Sequence, residues 1–101
     1  MVGTPKSLTD SIARVDNAMD HCDQGSTLQA QGDLDGAIAE YRAALRLEPD
    51  NAMARCDLGR VLWTNGDREG AFEEFRTAHR LAPNEPTIRQ IYYNLMLLLE
   101  R

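Results

Sequence analysis

The chain of 101 residues has few of the features that mark membrane, secreted or disulfide-rich proteins. Its longest apolar run, residues 95–99, is five residues long, whereas a membrane-spanning helix needs about 20. The first six residues contain no apolar stretch of the kind found in a secretion signal. Two cysteines are too few for a disulfide-stapled scaffold. We therefore expect a cytoplasmic protein with no membrane partner.

Residue patterns typical of catalysis are also missing from the sequence. It contains no Ser-His-Asp set, paired catalytic carboxylates, phosphate-binding glycine loop or metal-ligand spacing. We therefore predict that the protein is not an enzyme and needs neither a metal nor a cofactor.

Basic residues are outnumbered by acidic ones, 11 to 16, which gives a net charge of −5. Residues 10–35 contain six aspartates and a single arginine, so this charge is concentrated near the start. Because an acidic chain repels phosphate backbones, we expect no nucleic-acid partner. The acidic region favours either a basic partner or simply a solvated helix face.

A unit of 34 residues occurs twice in succession, over residues 18–51 and 52–85. The two copies share 16 identical positions without a gap, where unrelated sequences of ordinary composition would share roughly 2. A fixed period of this length is typical of stacked supersecondary units. We therefore divide the chain into residues 1–17, the two copies, and a final half copy at residues 86–101.

Within each copy, the pattern predicts two helices joined by a Gly-Asp turn and ended by a proline. Small residues would let the two helices approach closely, with Tyr41 and Phe75 filling the space between them. The predicted buried residues of the second helices are Ala37, Ile38, Tyr41, Ala44, Leu45 and Leu47 in copy one, and Ala71, Phe72, Phe75, Ala78 and Leu81 in copy two. Each copy is therefore predicted to be a helical hairpin.

The two ends of the chain add further apolar helix patterns. One face of a helix is predicted by the apolar residues Leu8, Ile12, Val15, Met19 and Cys22. We expect this helix to run unbroken to about Gln31, with a break near residues 16–17 as the alternative. Residues 86–101 begin a third copy and stop after its first helix, as repeat arrays usually end. This helix is apolar almost all round, so part of its surface should contact something else.

The repeated residues resemble those of the tetratricopeptide repeat family. The resemblance rests on Gly25, Leu28, Gly32-Asp33, Ala37, Tyr41, Ala44 and Pro49 in copy one, and on Leu58-Gly59, Leu62, Gly66-Asp67, Ala71, Phe75, Ala78 and Pro83 in copy two. The chain departs from the family at His21, Gln24 and Arg55, where large apolar residues are preferred. The resemblance implies an all-α, right-handed superhelix of two hairpins and a capping helix, with the N-terminally extended first helix described above.

The same resemblance implies a concave groove, lined by the first helices, that binds a peptide or protein. The groove residues it implies are Met19, Cys22, Asp23, Ser26, Gln29, Met53, Cys56, Asp57, Arg60, Trp63, Gln90 and Asn94. Family members that grip chaperone tails use Lys, Arg and Asn at positions that here hold Cys22, Ser26, Asp57, Thr87 and Ile91. Because Asp57 would repel the tail carboxylate, we exclude a chaperone C-terminal tail as the partner.

Some of these residues also have a purely structural interpretation. Trp63 is either an anchor for a partner or a residue that packs across neighbouring first helices. Arg60 could bind an acidic group, but a local pair with Asp57 is the simpler role. Cys22 and Cys56 should be free thiols, since helices 8–10 Å apart are too distant for a disulfide. His79 should be a structural residue, buried or half-buried.

Two functions are compatible with the sequence. The first is a protein–protein interaction module, an adaptor or scaffold that binds its partner in the groove. The second is self-assembly into a homodimer through the apolar first and last helices. The candidate self-association residues are Leu8, Ile12, Val15, Ile91, Leu95 and Leu98.

Overall fold

A computed structural model describes residues 17–99, which form five α-helices and no strand. The helices are α1 (Ala18–Ala30), α2 (Leu34–Leu47), α3 (Ala52–Thr64), α4 (Arg68–Leu81) and α5 (Pro86–Leu99). Helices α1, α3 and α5 begin at intervals of 34 residues, and so do α2 and α4. The predicted all-α architecture of two helix hairpins and a final helix is confirmed.

The first helix begins at Ala18, because Asn17 has extended backbone angles (φ −102°, ψ 132°) and acts as its N-cap. The Asn17 side-chain oxygen accepts a hydrogen bond from the Met19 amide at 2.8 Å. Such a cap satisfies an amide that has no partner inside the helix. The prediction of an unbroken helix through residues 16–17 is therefore wrong, and the alternative of a break is correct. The predictions for residues 1–16 lie outside the described residues.

Both hairpin turns use a glycine with a positive φ followed by a capping aspartate. The φ angles of Gly32 and Gly66 are 86° and 93°, a region that glycine adopts readily because it has no Cβ. Asp33 and Asp67 then accept hydrogen bonds from the amide three residues later, at 2.9 and 2.8 Å. This turn reverses the chain and brings each second helix back along the first.

An aromatic ring lies directly over a glycine at the centre of each hairpin. A Cβ added to Gly25 would be 3.0 Å from the ring of Tyr41, and one added to Gly59 would be 2.9 Å from the ring of Phe75. The exposed fractions of Tyr41 and Phe75 are only 1% and 3%. The predicted packing of small residues against these two rings is therefore confirmed.

The core runs continuously between the two hairpins and into α5. Its buried members include Ala37, Ile38, Tyr41, Leu45, Leu58, Val61, Leu62, Ala71, Phe75, Ala78 and Ile88. Leu47 and Leu81 were also predicted to be buried, but their exposed fractions are 46% and 36%. Each is the last residue of its helix, beyond the length that packs against a neighbour, so this prediction is wrong.

Helix α5 is held against α4 mainly by residues on one of its sides. Ile88 is buried, and the ring of Tyr92 stacks on the half-buried His79 with 4.4 Å between centroids. The structural role predicted for His79 fits this stack. Helix α5 packs less extensively on α4 than α3 packs on α2. Its remaining apolar side chains, Tyr93, Leu97 and Leu98, are exposed.

None of the helices in residues 17–99 combines the length and the apolar character needed to cross a membrane.

Candidate functional site

The predicted groove residues lie on α1, α3 and α5, and most of them are accessible. Met19, Asp23, Ser26, Met53, Arg60, Gln90 and Asn94 are exposed, whereas Cys22, Gln29, Asp57 and Trp63 are half-buried. We call these residues the first-helix face. Cys56 was predicted to belong to it, but its exposed fraction is 0%. That prediction is wrong, because the Cys56 side chain points into the core instead.

A recess of about 390 Å³ joins the three first helices on this face. Its polar lining comes from the predicted residues Gln29, Arg60 and Asn94, together with Thr64. Its apolar lining is formed by Trp63, Phe75, Ile91, Leu95 and Leu98. We call it the groove recess. An apolar floor with a polar edge suits one bulky side chain of a partner and the backbone on either side of it.

A second recess, of about 890 Å³, lies between the start of α4 and the second half of α5. It is lined by Trp63, Asp67, Arg68, Glu69, Gly70, Phe72, Glu73, Leu95 and Leu98. We call it the end recess. The sequence did not predict it, because the recess combines residues of α3, α4 and α5 that the repeat pattern does not bring together.

Trp63 lies between the two recesses and lines both of them. The Arg68 guanidinium lies 4.7 Å from the centroid of the indole ring, a cation–π contact across the hairpin turn. Copy one has Gln29 and Leu34 at the equivalent positions, so this contact belongs to copy two alone. In the sequence, the sign of this contact was that copy two alone has a tryptophan and an arginine at these two positions. Arg68 orients an indole that packs on one side and stays accessible on the other.

Asp57 and Arg60 form the predicted local pair, with 3.6 Å between Oδ1 and Nη1. Burial raises the pKa of the Asp57 carboxyl, and the positive charge of Arg60 offsets part of that effect. The Asp57 charge also raises the pKa of both neighbouring thiols. The surface between α1 and α3 is therefore negative, which favours a partner with a positive group at this point.

Both cysteines are free thiols, as predicted. Burial raises the pKa of Cys56 to about 11, with a further contribution from the Asp57 charge. Burial also raises the pKa of Cys22, and the charges of Asp57, Asp23 and Glu48 add to the shift. Since the reactive form of cysteine is the thiolate, these environments disfavour thiol chemistry at neutral pH.

Two ion pairs occupy equivalent places in the two hairpins. His21 and Glu40 are joined at 2.6 Å, and Arg55 and Glu74 at 3.0 Å, with both members of each pair half-buried. In the sequence, His21 and Arg55 stand out as departures from the apolar residues that the family prefers. Glu40 and Glu74 recur at the same 34-residue spacing, but the spacing alone does not show that they pair with His21 and Arg55.

The predicted self-association residues do not form one exposed surface. Leu98 is exposed and Ile91 is half-buried, but the exposed fraction of Leu95 is only 7%. Leu95 lies in the core, so its assignment to an exposed interface is wrong. Leu8, Ile12 and Val15 lie outside the described residues.

Within residues 17–99, no group of three or more His, Cys, Asp or Glu side chains is arranged to hold a metal ion.

Comparison with protein families identifies this architecture. The family model described as tetratricopeptide repeat matches residues 22–86, which is more than half of the chain. The chain belongs to the tetratricopeptide repeat family. A comparison with curated proteins finds no match. Tetratricopeptide repeats are generally protein–protein interaction modules, and the family is typically a non-enzymatic scaffold.

Proposed function

We propose that this protein is a non-enzymatic adaptor that binds a peptide or protein surface on its first-helix face. The observation that supports this most is the groove recess, in which side chains of α1, α3 and α5 converge around Trp63. The partner would insert one bulky apolar side chain beside Trp63 and Leu98. Arg60, Asn94 and Gln29 would bind polar groups on either side of that side chain.

The carboxylates on the first-helix face suggest that the partner also carries a positive charge. Arg60 is already paired with Asp57, and the other acidic group on this side of α1 is the exposed Asp23. A basic residue placed a few ångströms from the apolar anchor would meet these carboxylates. The proposed ligand is therefore a segment with a large apolar residue and a nearby lysine or arginine. A chaperone C-terminal tail, whose carboxylate Asp57 would repel, is excluded from the proposal.

Selection of binding peptides from a random library, followed by calorimetry, tests this proposal. Trp63→Ala should weaken the selected peptides by more than about 1 kcal/mol, which is roughly fivefold, if Trp63 is an anchor. Tyr93→Ala is the matched control, because Tyr93 is an exposed aromatic residue that lines neither recess. Equal affinities for the wild type and the Trp63 variant would show that the indole only packs between helices.

Self-association is a second candidate, supported by the apolar surface of α5. Tyr93, Leu97 and Leu98 have exposed fractions of 54%, 61% and 52%, and all three lie within two turns of one helix. Apolar side chains grouped in this way mark contact surfaces more often than isolated ones do. A homodimer formed through this helix would bury them.

Sedimentation analysis at micromolar concentrations separates this candidate from a purely monomeric adaptor. A double Leu97→Glu, Leu98→Glu variant should sediment as a monomer if α5 is part of the contact. Leu95 is not suitable for this test, since a charge at a buried position would unfold the protein. An unchanged mass for the double variant would show that α5 is not part of the contact.

The cytoplasmic location stays a prediction.

A further inference from the structure

The end recess and the groove recess adjoin each other at the end of α3. Three residues, Trp63, Leu95 and Leu98, line both of them. Leu95 is buried beneath the other two, of which Trp63 is half-buried and Leu98 is exposed. A bound chain that fills one recess can therefore pass over these side chains into the other. The two recesses are neighbouring subsites that one extended segment can occupy together.

The lining of the end recess is negatively charged, whereas that of the groove recess is not. Three carboxylates and one guanidinium line the end recess, from Asp67, Glu69, Glu73 and Arg68, so the net charge of its lining is −2. The only charged residue that lines the groove recess is Arg60. The start of α4 also lies at the end recess, but the positive end of a helix contributes only about +0.5 of a charge. The end recess therefore favours a cation over an anion.

Helix stability explains part of this negative charge but not all of it. Asp67 is the N-cap of α4, and Glu69 lies in its first turn, where a negative charge stabilises a helix. Glu73 lies beyond that turn, and copy one has Ala39 at the equivalent position. Glu73 pairs with Arg76 at 2.7 Å, but both side chains are exposed, and such pairs are weak. Glu69 forms no ion pair within residues 17–99, so both glutamates can accept a cation from a partner.

The aromatic residues of the end recess already contact cations of the chain itself. The Arg68 guanidinium lies 4.7 Å from the centroid of the Trp63 ring, and that of Arg76 lies 5.7 Å from the centroid of Phe72. Both rings line the end recess. The face of an aromatic ring attracts a cation, and the stem of a lysine or arginine packs well on apolar surface. Aromatic and leucine side chains beside carboxylates therefore suit a basic side chain better than a purely apolar one.

Along α3, negative groups lie both before and after Trp63. Asp57 precedes Trp63 by six residues of the same helix, which is about 9 Å along the helix axis. Asp67 and Glu69 follow Trp63, at the turn after α3 and in the first turn of α4. A segment anchored beside Trp63 would therefore meet carboxylates in both directions.

We propose that the end recess binds a lysine or arginine of the same segment whose apolar side chain occupies the groove recess, with Glu69 and Glu73 as the acceptors. This inference rests on the proposed adaptor function and adds a second subsite to it. The ligand then has one basic residue that faces Asp57 and a second basic residue on the other side of the apolar anchor.

Calorimetry on the full chain, with peptides selected from a random library on the wild type, tests this subsite. Glu69→Lys should raise the Kd of the peptides at least about fivefold, because like charges would then face each other. Asp35→Lys is the matched control, since Asp35 is exposed in the first turn of α2 at the equivalent position and lines neither recess. Exchange of one basic residue of the peptide for glutamate should reverse the order, so that the Glu69 variant binds more tightly than the wild type. Unchanged helical circular dichroism would show that each variant is folded.

The outcomes that would overturn this inference differ in what they mean for the adaptor function. If Trp63→Ala weakens binding but Glu69→Lys has no larger effect than Asp35→Lys, the end recess is not part of the site and the groove proposal stands. If Glu69→Lys weakens binding but Trp63→Ala does not, one segment does not fill both recesses and the groove anchor is also wrong. If neither weakens binding, both proposals fail. Selected peptides without lysine or arginine, or without a glutamate exchange that reverses the order, would overturn the second subsite alone.

Discussion

The substitution Gly59→Ala tests how closely the helices of the second hairpin approach each other. Alanine is the better helix former by about 1 kcal/mol, so helix propensity alone would make this variant more stable. The new Cβ, however, would lie 2.9 Å from Cε1 and 3.0 Å from Cζ of Phe75. Phe75 is 3% exposed and cannot move away without disturbing the core. Overpacking of this kind usually costs about 1–3 kcal/mol.

The cost of overpacking, less the gain in helix propensity, leaves a net loss of up to about 2 kcal/mol in the free energy of unfolding. In a domain of this size, that corresponds to a fall in Tm of up to about 16 °C. Urea and thermal unfolding followed by circular dichroism would measure both quantities. Phe75→Leu provides the partner for a double-mutant cycle, because a smaller side chain leaves room for the new methyl group. The two substitutions should be less destabilising together than the sum of their separate effects.

Whether Gly59→Ala stabilises or destabilises the protein shows which effect is larger, the gain in helix propensity or the cost of overpacking against Phe75. A variant more stable than the wild type by about 1 kcal/mol, the full gain in helix propensity, would show that the ring of Phe75 does not lie over residue 59. Gln24→Ala is a suitable control for helix propensity, since Gln24 is an exposed position within α1. It should change the free energy of unfolding by no more than about 0.5 kcal/mol.

Three further experiments test separate parts of the structure. Arg55→Met and Glu74→Gln should each cost about 1–2 kcal/mol in urea unfolding and should couple in a double-mutant cycle, and additive effects would refute the ion pair. The raised pKa of Asp57 means that its contribution to stability is most favourable below pH 3.8 and declines as pH rises through the folded-state pKa. Asp57→Asn should therefore remove this decline and leave the protein at least as stable as the wild type at pH 7, and a less stable variant would contradict the assignment. Gly66→Ala should lower the free energy of unfolding by about 1 kcal/mol because φ is 93°, and Gly66→Asn should lower it less; equal stability of the alanine variant would refute the left-handed turn.

Much of the fold could be predicted because the sequence pattern of the helical hairpin occurs twice. Gly32 with Asp33, and Gly66 with Asp67, mark both turns by local backbone chemistry, and the structure has them where the sequence placed them. The break at Asn17 was harder to predict, since the apolar pattern from Leu8 to Met19 continues across it. An apolar pattern records which face is buried, whereas a side chain that caps a helix decides where that helix begins.

The candidate site was predicted less completely than the fold. Trp63, Arg60 and Asn94 do converge around one recess. Cys56, however, could not be distinguished from Cys22 by sequence, because identical residues in two copies can have different neighbours. Cys22 is partly buried at the margin of the core, while Cys56 is a member of the core. The end recess depends on how α3, α4 and α5 pack together, which the repeat pattern does not specify.

Chemical-shift mapping of a library-selected peptide on the labelled protein tests the central proposal most directly. We predict that the largest shifts occur at the Trp63 indole and the side-chain amides of Gln29 and Asn94, which all line the groove recess. Amides on the exposed sides of α2 and α4 should move little. Shifts concentrated on α2 and α4, with the Trp63 indole unchanged, would contradict a partner bound by the first helices.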